Sequence, residues 1–242
     1  MFADKKKRIA FICVAILTML GIGIALFVFN KPQPQPEPQA VSGSGLSLGG
    51  TNEYGFQTVL LDPKAQGSKV AADRKTRYGY TSTCGDAVAA AFNYTDLLGD
   101  FSAENLGAQN ETYHQIAIAP EEYSQTDDGS LEGLKFDSDT SIGLFKIGSC
   151  AEGQSAQIVT TQIIKSQIPG VDTTYLVQSL PINLVWDGDW KLGERDEATE
   201  LREEIESSSA PTIDKALLDA LFTDAEGASI DRKAWYALDS KK

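Results

Sequence analysis

The stretch Thr83-Cys-Gly-Asp-Ala-Val-Ala-Ala-Ala-Phe-Asn-Tyr-Thr-Asp-Leu-Leu98 predicts a helix around which the rest of the fold is organised. Thr83 is a favourable N-cap, because its hydroxyl oxygen can accept a hydrogen bond from an unpaired amide of the first turn. Asp86 places a negative charge near the positive end of the helix dipole, and Gly99 ends the pattern. The apolar face of the helix, which is expected to pack on a sheet, consists of Val88, Ala91, Phe92, Thr95 and Leu98.

Downstream of this helix, the sequence predicts short helical turns and then a series of strands. From about residue 141 the chain is rich in β-branched residues and partly alternates in polarity, as strands do. The predicted strands are Ile142–Ile147, Ala156–Lys165, Thr173–Trp186 and, after a tight turn at Asp187-Gly188-Asp189, Trp190–Leu192. Helices followed by a meander indicate an α+β fold, in which helices pack on one face of a curved antiparallel sheet.

Residues 194–242 are predicted to form a helical tail. The segment 196–206 is strongly charged, and two further helices are expected after the N-caps Thr212 and Ser229. These helices could dock on the domain, pair with a partner or stay mobile, and docking is the expectation for the last two.

The N-terminal region predicts a single membrane span. Residues 9–29 contain no charge, and a helix of that length extends about 30 Å, the thickness of the hydrocarbon core. Basic residues at positions 5–8 precede it, so the positive-inside rule keeps the N-terminus in the cytoplasm and exports the rest of the chain. A cleaved signal peptide is the alternative, but its apolar region is usually shorter. Gly21 and Ala25 form a small-residue pair that could let two such helices approach closely.

A spacer follows the predicted span. Proline occupies every second position from Pro32 to Pro38, which favours an extended polyproline II rod, and a Gly- and Ser-rich stretch comes after it. The predicted organisation is a cytoplasmic tip (1–8), a transmembrane helix (9–29), a stalk (30–76), an exported domain (77–193) and a helical tail (194–242).

Charge is distributed unevenly along the chain. The net charge is −13 at pH 7, but residues 1–31 carry +4 and the remaining residues carry −17. Binding to nucleic acid requires clustered lysine and arginine, so an acidic exported body excludes nucleic acid as a direct partner. The implied partners are the membrane and other envelope proteins, and a homo-oligomer is left open.

Two of the three cysteines belong to the predicted exported part. Cys84 starts the first helix and Cys150 ends the first strand of the meander, whereas Cys13 lies within the apolar stretch. An even number of cysteines in an oxidising compartment favours a disulfide, which would clamp the helix to the sheet. Two free thiols are the alternative.

No catalytic set is evident in the sequence. His114 is the only histidine, and the motifs of nucleophilic hydrolases, phosphate loops and zinc sites are absent. We therefore expect no catalytic residue, no cofactor and no metal. If the domain contains a pocket, the candidates for an acid or base in it are Asp96, Tyr113 and His114.

Two motifs carry a resemblance to known families. Trp186-Asp-Gly-Asp-Trp-Lys-Leu192, with the helix and meander before it, resembles the last hairpin of the NTF2-like (SnoaL-like) superfamily over residues 78–192. Residues 56–98 are similar to uncharacterised actinobacterial membrane proteins of conjugative elements, through Gly79-Tyr-Thr-Ser-Thr83 and the Ala-rich helix. That pattern often has proline where this chain has Cys84. The resemblance implies a cone-shaped domain with a long helix against a curved sheet.

Together these features predict a single-pass, membrane-anchored extracytoplasmic binding or assembly module. The resemblance implies a place in a conjugation or secretion apparatus, with the N-terminus in the cytoplasm and the C-terminal domain outside. The alternatives are a pocket-bearing enzyme, similar to the isomerases and cyclases of the NTF2-like superfamily, and a cell-surface sensor of a ligand or of the cell wall.

Overall fold

The computed structural model describes residues 44–126, 132–195, 205–223 and 227–239. The predicted cytoplasmic tip, the predicted span and the Pro-rich part of the stalk lie outside the described residues, as does most of the charged segment of the tail. Within these ranges, no helix is both long enough and apolar enough to cross a membrane.

A mixed β-sheet with apolar cores on both faces dominates the structure. The strands are β1 (Leu46–Thr51), β2 (Gln57–Leu61), β3 (Lys69–Val70), β4 (Arg77–Tyr78), β5 (Phe101–Ser102), β6 (Lys135–Asp139), β7 (Leu144–Ala151), β8 (Ser155–Gln167), β9 (Thr174–Trp186), β10 (Trp190–Leu192), β11 (Ile205–Ser207) and β12 (Trp235–Leu238). The helices are α1 (Cys84–Gly99), α2 (Leu106–Ile116) and α3 (Lys215–Leu221). Ten of these strands form the main sheet, and β3 and β4 form a separate hairpin.

The two longest strands, β8 and β9, form the centre of the main sheet. They pair antiparallel along their length, from Ser155 opposite Val185 to Ser166 opposite Thr174. The other edge of β8 is shared, because β7 pairs with its first half and β6 with its second half. The outer edge of β9 is shared in the same way by β10 and β11. Beyond β7, the sheet continues through β12 and β2 to β1.

Pro181 lies inside β9, opposite Val159, without breaking the sheet. The Gly193 amide donates to the carbonyl oxygen of Asn183, so Asn183 turns its backbone groups away from β8. Backbone direction alternates along a strand, and position 181 therefore faces the same way as position 183. The missing N–H of the proline falls on the edge away from β8, in the interval between the residues paired with β11 and those paired with β10.

Helix α1 covers one face of the sheet, as its sequence predicts. The Thr83 hydroxyl oxygen accepts a hydrogen bond from the Asp86 amide at 3.1 Å, which confirms the predicted N-cap. The hydroxyl oxygens of Thr95 on the helix and Thr160 on β8 are 2.6 Å apart and join the two layers. The apolar core on this face includes Ala87, Val88, Ala91, Phe92, Phe145, Ile158, Ile182 and Leu184.

The opposite face of the sheet has a second apolar core, to which the C-terminal region contributes much. Asp214 caps α3 by accepting a hydrogen bond from an amide of the first turn, and the helix buries Leu218 and Leu221. The ring of Phe222 meets Trp235 of β12 edge to face, with centroids 5.4 Å apart. Strands β7, β8 and β9 contribute residues to both cores, so the sheet is covered on both faces.

The predicted fold class, an α+β cone of helices on a curved antiparallel sheet with a helical C-terminal tail, is wrong. The described part of the chain is mostly a mixed sheet with three short helices, none of which can cross a membrane. The individual elements α1, β7, β8, β9 and β10 form close to where the sequence predicts them. The prediction is therefore wrong about how these elements assemble into a sheet and about the structure of the tail.

The tail differs most from the prediction. The helix expected after Ser229 is instead strand β12, which lies between β2 and β7 and runs parallel to β2. Trp235 and Ala237 enter one core and Tyr236 enters the other, and this strand alternation outweighs the helical spacing of the apolar residues. The end of the charged segment is strand β11, whereas the helix expected after Thr212 does form as α3.

The predicted stalk extends to residue 76, but its last part belongs to the folded body. Strands β1 and β2 are members of the main sheet, and β3 pairs with β4. Val59 of β2 is fully buried in the core beneath α1. The folded body therefore includes residues 44–76.

A buried carboxylate joins the segment before α1 to the β9–β10 hairpin. Asp189 follows the tight turn of this hairpin and is 9% exposed. Its oxygens accept hydrogen bonds from the backbone amides of Gly79 at 2.5 Å, Tyr80 at 2.8 Å and Trp190 at 2.8 Å. Gly79 has a φ of +78°, which glycine adopts without strain. The two motifs that carry the family resemblance therefore meet at this contact.

Trp190 reinforces the same junction. Its indole N–H donates to the Thr83 carbonyl oxygen at 3.1 Å, and its own carbonyl oxygen accepts a hydrogen bond from the Tyr94 hydroxyl at 2.8 Å. Burial and, to a smaller extent, the Asp189 carboxylate raise the pKa of Tyr94, so its hydroxyl remains a protonated donor. The start of α1 is thus fixed to the hairpin by backbone and side-chain hydrogen bonds.

The predicted disulfide is confirmed. Cys84, the first residue of α1, is bonded to Cys150 in β7, at a sequence separation of 66 residues. A closed loop of this length stabilises the fold by about 4 kcal/mol through the lost entropy of the unfolded chain. The bridge therefore holds the N-terminal end of α1 against the sheet.

Replacing Asp189 should destabilise the fold. Asp189→Ala leaves three amides without their acceptor, and we expect the free energy of unfolding to fall by about 3 kcal/mol, measured by chemical denaturation with the disulfide intact. Asp187→Ala is the matched control, because this residue lies in the same turn, is 67% exposed and pairs with Lys191. We expect the control to change stability by less than about 0.5 kcal/mol. Equal losses in the two variants would contradict this role of Asp189.

Candidate functional site

A cleft of about 220 Å³ lies at the C-terminal end of α1. Strands β5 and β6, the first turn of α2 and the tip of the β3–β4 hairpin surround it. The polar side chains that line it are Asp73, Lys75, Asp100, Ser102, Asn105, Gln109, Lys135 and Asp137.

Asp100 connects the walls of the cleft. It is the C-cap of α1, and its carboxylate accepts a hydrogen bond from the Ser138 amide of β6 at 2.7 Å. The other carboxylate oxygen lies 3.3 Å from the ammonium of Lys75. The Gln109 side chain of α2 donates to the Asp100 carbonyl oxygen at 2.8 Å. One residue therefore holds the helix end, the strand, the hairpin and α2 together.

Asp73 shapes the tip of the β3–β4 hairpin. Its carboxylate accepts hydrogen bonds from the Lys75 amide at 3.0 Å, the Thr76 amide at 2.9 Å and the Thr76 hydroxyl at 2.5 Å. Its own amide donates to the Thr112 hydroxyl of α2 at 3.0 Å, which fixes the tip beside the cleft. The turn uses this carboxylate, and the ammonium of Lys75 lies beside Asp100 instead.

Aromatic side chains form the floor of the cleft. Phe101 of β5 and Phe136 of β6 are cross-strand partners, with ring centroids 6.1 Å apart. Phe101 and Leu106, the first residue of α2, are buried, and Phe136 packs against them. The floor of the cleft is therefore apolar, and its rim carries both positively and negatively charged side chains.

The cleft has the chemistry of a recognition site. The ammonium groups of Lys75 and Lys135 are 3.3 Å and 3.1 Å from carboxylates, but the two lysine side chains are 72% and 53% exposed. Ion pairs as exposed as these contribute little energy, so the lysines are free to turn toward an incoming group. None of the lining residues is a histidine or a cysteine. This arrangement suits the binding of a polar or charged group above an aromatic surface.

Asp96, one of the three predicted pocket residues, lies one turn before Asp100 on α1 and does not line the cleft. The Thr140 hydroxyl donates to one of its carboxylate oxygens at 3.2 Å, and the other is buried without a partner among the described residues. Burial, with smaller contributions from the charges of Asp100 and Asp139, raises the pKa of Asp96 to about 6.

Tyr113 and His114, the other predicted pocket residues, lie on different sides of α2. Tyr113 is buried and stacks on Tyr123, with ring centroids 5.7 Å apart. Burial raises the pKa of both tyrosines, that of Tyr123 to about 12, and the Tyr123 hydroxyl donates to the Gly193 carbonyl oxygen at 2.8 Å. His114 is exposed. Among the described contacts, none joins these two residues to Asp96.

Sequence reasoning missed the residues that form the cleft. Lys75, Asp100 and Lys135 belong to three separate segments, and the pairing of β5 with β6 brings them together. One signal was available, since Lys135 is the first basic residue after Arg77 in a long acidic stretch. That signal marks a change in charge but does not indicate a cleft.

A second polar cluster lies at the opposite end of α1, where the described chain begins. The amide and the hydroxyl of Ser44 both donate to a carboxylate oxygen of Glu152 at 2.6 Å, and these bonds lower the pKa of Glu152. The Gly85 amide of α1 donates to the Ser44 carbonyl oxygen at 3.0 Å. This cluster, next to the disulfide, attaches the incoming chain to the folded body.

Comparison with known proteins adds no further site residue. No family model, curated protein or solved structure matches this chain.

The raised pKa of Asp96 predicts a measurable dependence of stability on pH. Its carboxyl group holds a proton more tightly in the folded chain than in the unfolded chain, so stability falls as the pH rises from about 4 to about 6. We expect Asp96→Asn to remove this slope and to raise the free energy of unfolding at pH 7.5 by about 1–2 kcal/mol. Denaturation curves between pH 4 and 7.5 measure both effects.

Asp172→Asn is the control for this measurement, because the side chain of Asp172 lies on an exposed turn. It should leave the pH profile of the parent chain unchanged. The same slope in Asp96→Asn as in the parent chain would show that Asp96 does not cause it.

Proposed function

We propose that this chain is a single-pass, membrane-anchored protein whose folded body is an extracytoplasmic binding or assembly module. The anchor is the uncharged stretch 9–29, and the basic residues before it orient the N-terminus toward the cytoplasm. The Pro-rich stretch after it serves as a spacer.

The disulfide between Cys84 and Cys150 is the observation that carries this proposal. Structural disulfides persist in oxidising compartments outside the cytoplasm and are rare inside it. This bridge fastens α1 to the sheet next to the point where the incoming chain attaches to Glu152. The bridge therefore stabilises the end of the proposed exported body at which the chain arrives from the spacer.

The cleft at the other end of α1 supports a binding role for that body. Its exposed lysines and aromatic floor suit a charged or polar side chain of another protein. The partners proposed are other envelope proteins, and the similarity of residues 56–98 to membrane proteins of conjugative elements suggests a conjugation or secretion apparatus. Because the chain after residue 31 carries −17, a basic partner surface is favoured.

Cysteine labelling in intact cells tests the topology. In a Cys13→Ser background, Val171→Cys places a thiol on an exposed turn of the body, and Ala3→Cys places one in the N-terminal tip. We expect a membrane-impermeant maleimide to label Val171→Cys in intact cells, and to label Ala3→Cys only after permeabilisation. The reverse pattern would rule out the proposed orientation.

Site-specific photo-crosslinking in native membranes tests the binding role. A photoreactive amino acid at Lys135 lies on the cleft rim, and the same group at Val171 is the matched exposed control. We expect a discrete adduct with an envelope protein, identified by mass spectrometry, from position 135 and none from position 171. The same adducts from both positions, or none from position 135, would argue against the cleft as a contact site.

A further inference from the structure

Among the strands at the edges of the main sheet, β1 has the longest unpaired edge. It is six residues long and pairs with β2 on one side only, whereas β5, β10 and β11 are two or three residues long. The Asp62 amide donates to the Gly45 carbonyl oxygen, so Gly45 and Ser47 turn their backbone groups toward β2. By alternation, Leu46 and Leu48 turn theirs outward, where no described residue pairs with them.

This edge lacks the usual protection against pairing with another strand. Native edge strands are commonly blocked by charges or proline, and β1 contains neither. Between Glu37 and Asp62 the sequence has one charged residue, Glu53, in a chain that is otherwise rich in acids. Two copies of an acidic body can approach each other at this edge with little repulsion.

We infer that β1 pairs antiparallel with β1 of a second copy, about a two-fold axis that passes beside Ser47. In this register, Leu46 of each chain lies opposite Leu48 of the other. Their outward amides and carbonyls then form four hydrogen bonds, which continue the main sheet from one protomer into the other. Ser47 lies opposite its own counterpart, so the contact is self-complementary, as a two-fold interface requires.

The apolar side chains around β1 support this pairing. Leu48 is 51% exposed, the highest value among the large apolar side chains of the described residues. Leu46 and Leu48 share one face of the sheet, so each Leu48 would pack against Leu46 of the other chain. A bulge after Leu48 limits the regular pairing to the first part of the strand.

The chain that precedes β1 favours a second copy over an unrelated peptide. In the two-fold register the two Leu46 residues lie within about 10 Å of each other, so both preceding segments start from nearly the same place. This inference rests on the proposed anchor, which would confine two copies to one membrane and raise their effective concentration. The small-residue pair Gly21 and Ala25 would let their anchors approach closely.

Disulfide trapping in the full chain tests this inference. Each variant is made in a Cys13→Ser background, reconstituted into liposomes and oxidised with copper phenanthroline. Ser47→Cys places two thiols on the two-fold axis, at a Cα separation of about 4.5 Å, which permits a disulfide. Thr51→Cys is the control on the same strand, because its thiols would be more than about 20 Å apart. We expect at least about tenfold more crosslinked dimer from Ser47→Cys.

A charge on the edge provides a second test. Adding Leu48→Lys to Ser47→Cys should lower the dimer yield about tenfold, whereas Val171→Lys, at an exposed site outside the sheet, should leave it unchanged. Equal crosslinking from Ser47→Cys and Thr51→Cys, or no effect of Leu48→Lys, would overturn the inference. Liposomes contain no partner protein, so such a result would leave the proposed topology and the proposed cleft contact unaffected.

Discussion

The carboxylate of Asp189 accepts three backbone hydrogen bonds in a site that is almost closed to solvent. A carboxylate is buried at such a place only when its oxygens are satisfied, and here two of the donors belong to the loop before α1. The contact therefore sets where the helix begins relative to the β9–β10 hairpin. Once the start of α1 is fixed, its length determines where Asp100 lies, and the cleft is built around that residue.

Local signals predicted the elements that depend on neighbouring residues. The Thr83 cap, the apolar face of α1 and the Asp-Gly-Asp turn act within a few residues, and each forms as its sequence indicates. Strand β12 could not be predicted in this way, because its four residues become a strand through pairing with β2 and β7, far away in sequence. The expected cone is wrong for the same reason, since the two motifs behind it meet at the Asp189 contact, which does not determine the order of the strands.

The candidate site shows the same limit. Asp96, Tyr113 and His114 are candidates by residue type alone, and the structure gives them separate surroundings. The cleft residues are ordinary lysines, aspartates and phenylalanines that only the tertiary structure brings together. The disulfide could be predicted because cysteine chemistry depends on compartment and number, which the sequence reveals directly.

The attachment of Ser44 to Glu152 also has a mechanical consequence. A pull along the chain from residue 43 would reach the body at Ser44, beside the end of α1 that is bonded to Cys150. The covalent bridge prevents force from extending the 66-residue interval that it closes, so α1, β5, α2 and β6, which lie within this interval, cannot be drawn out. Strand β1, which comes directly after the attachment, would bear the load first, and its hydrogen bonds to β2 would determine how much tension the body withstands.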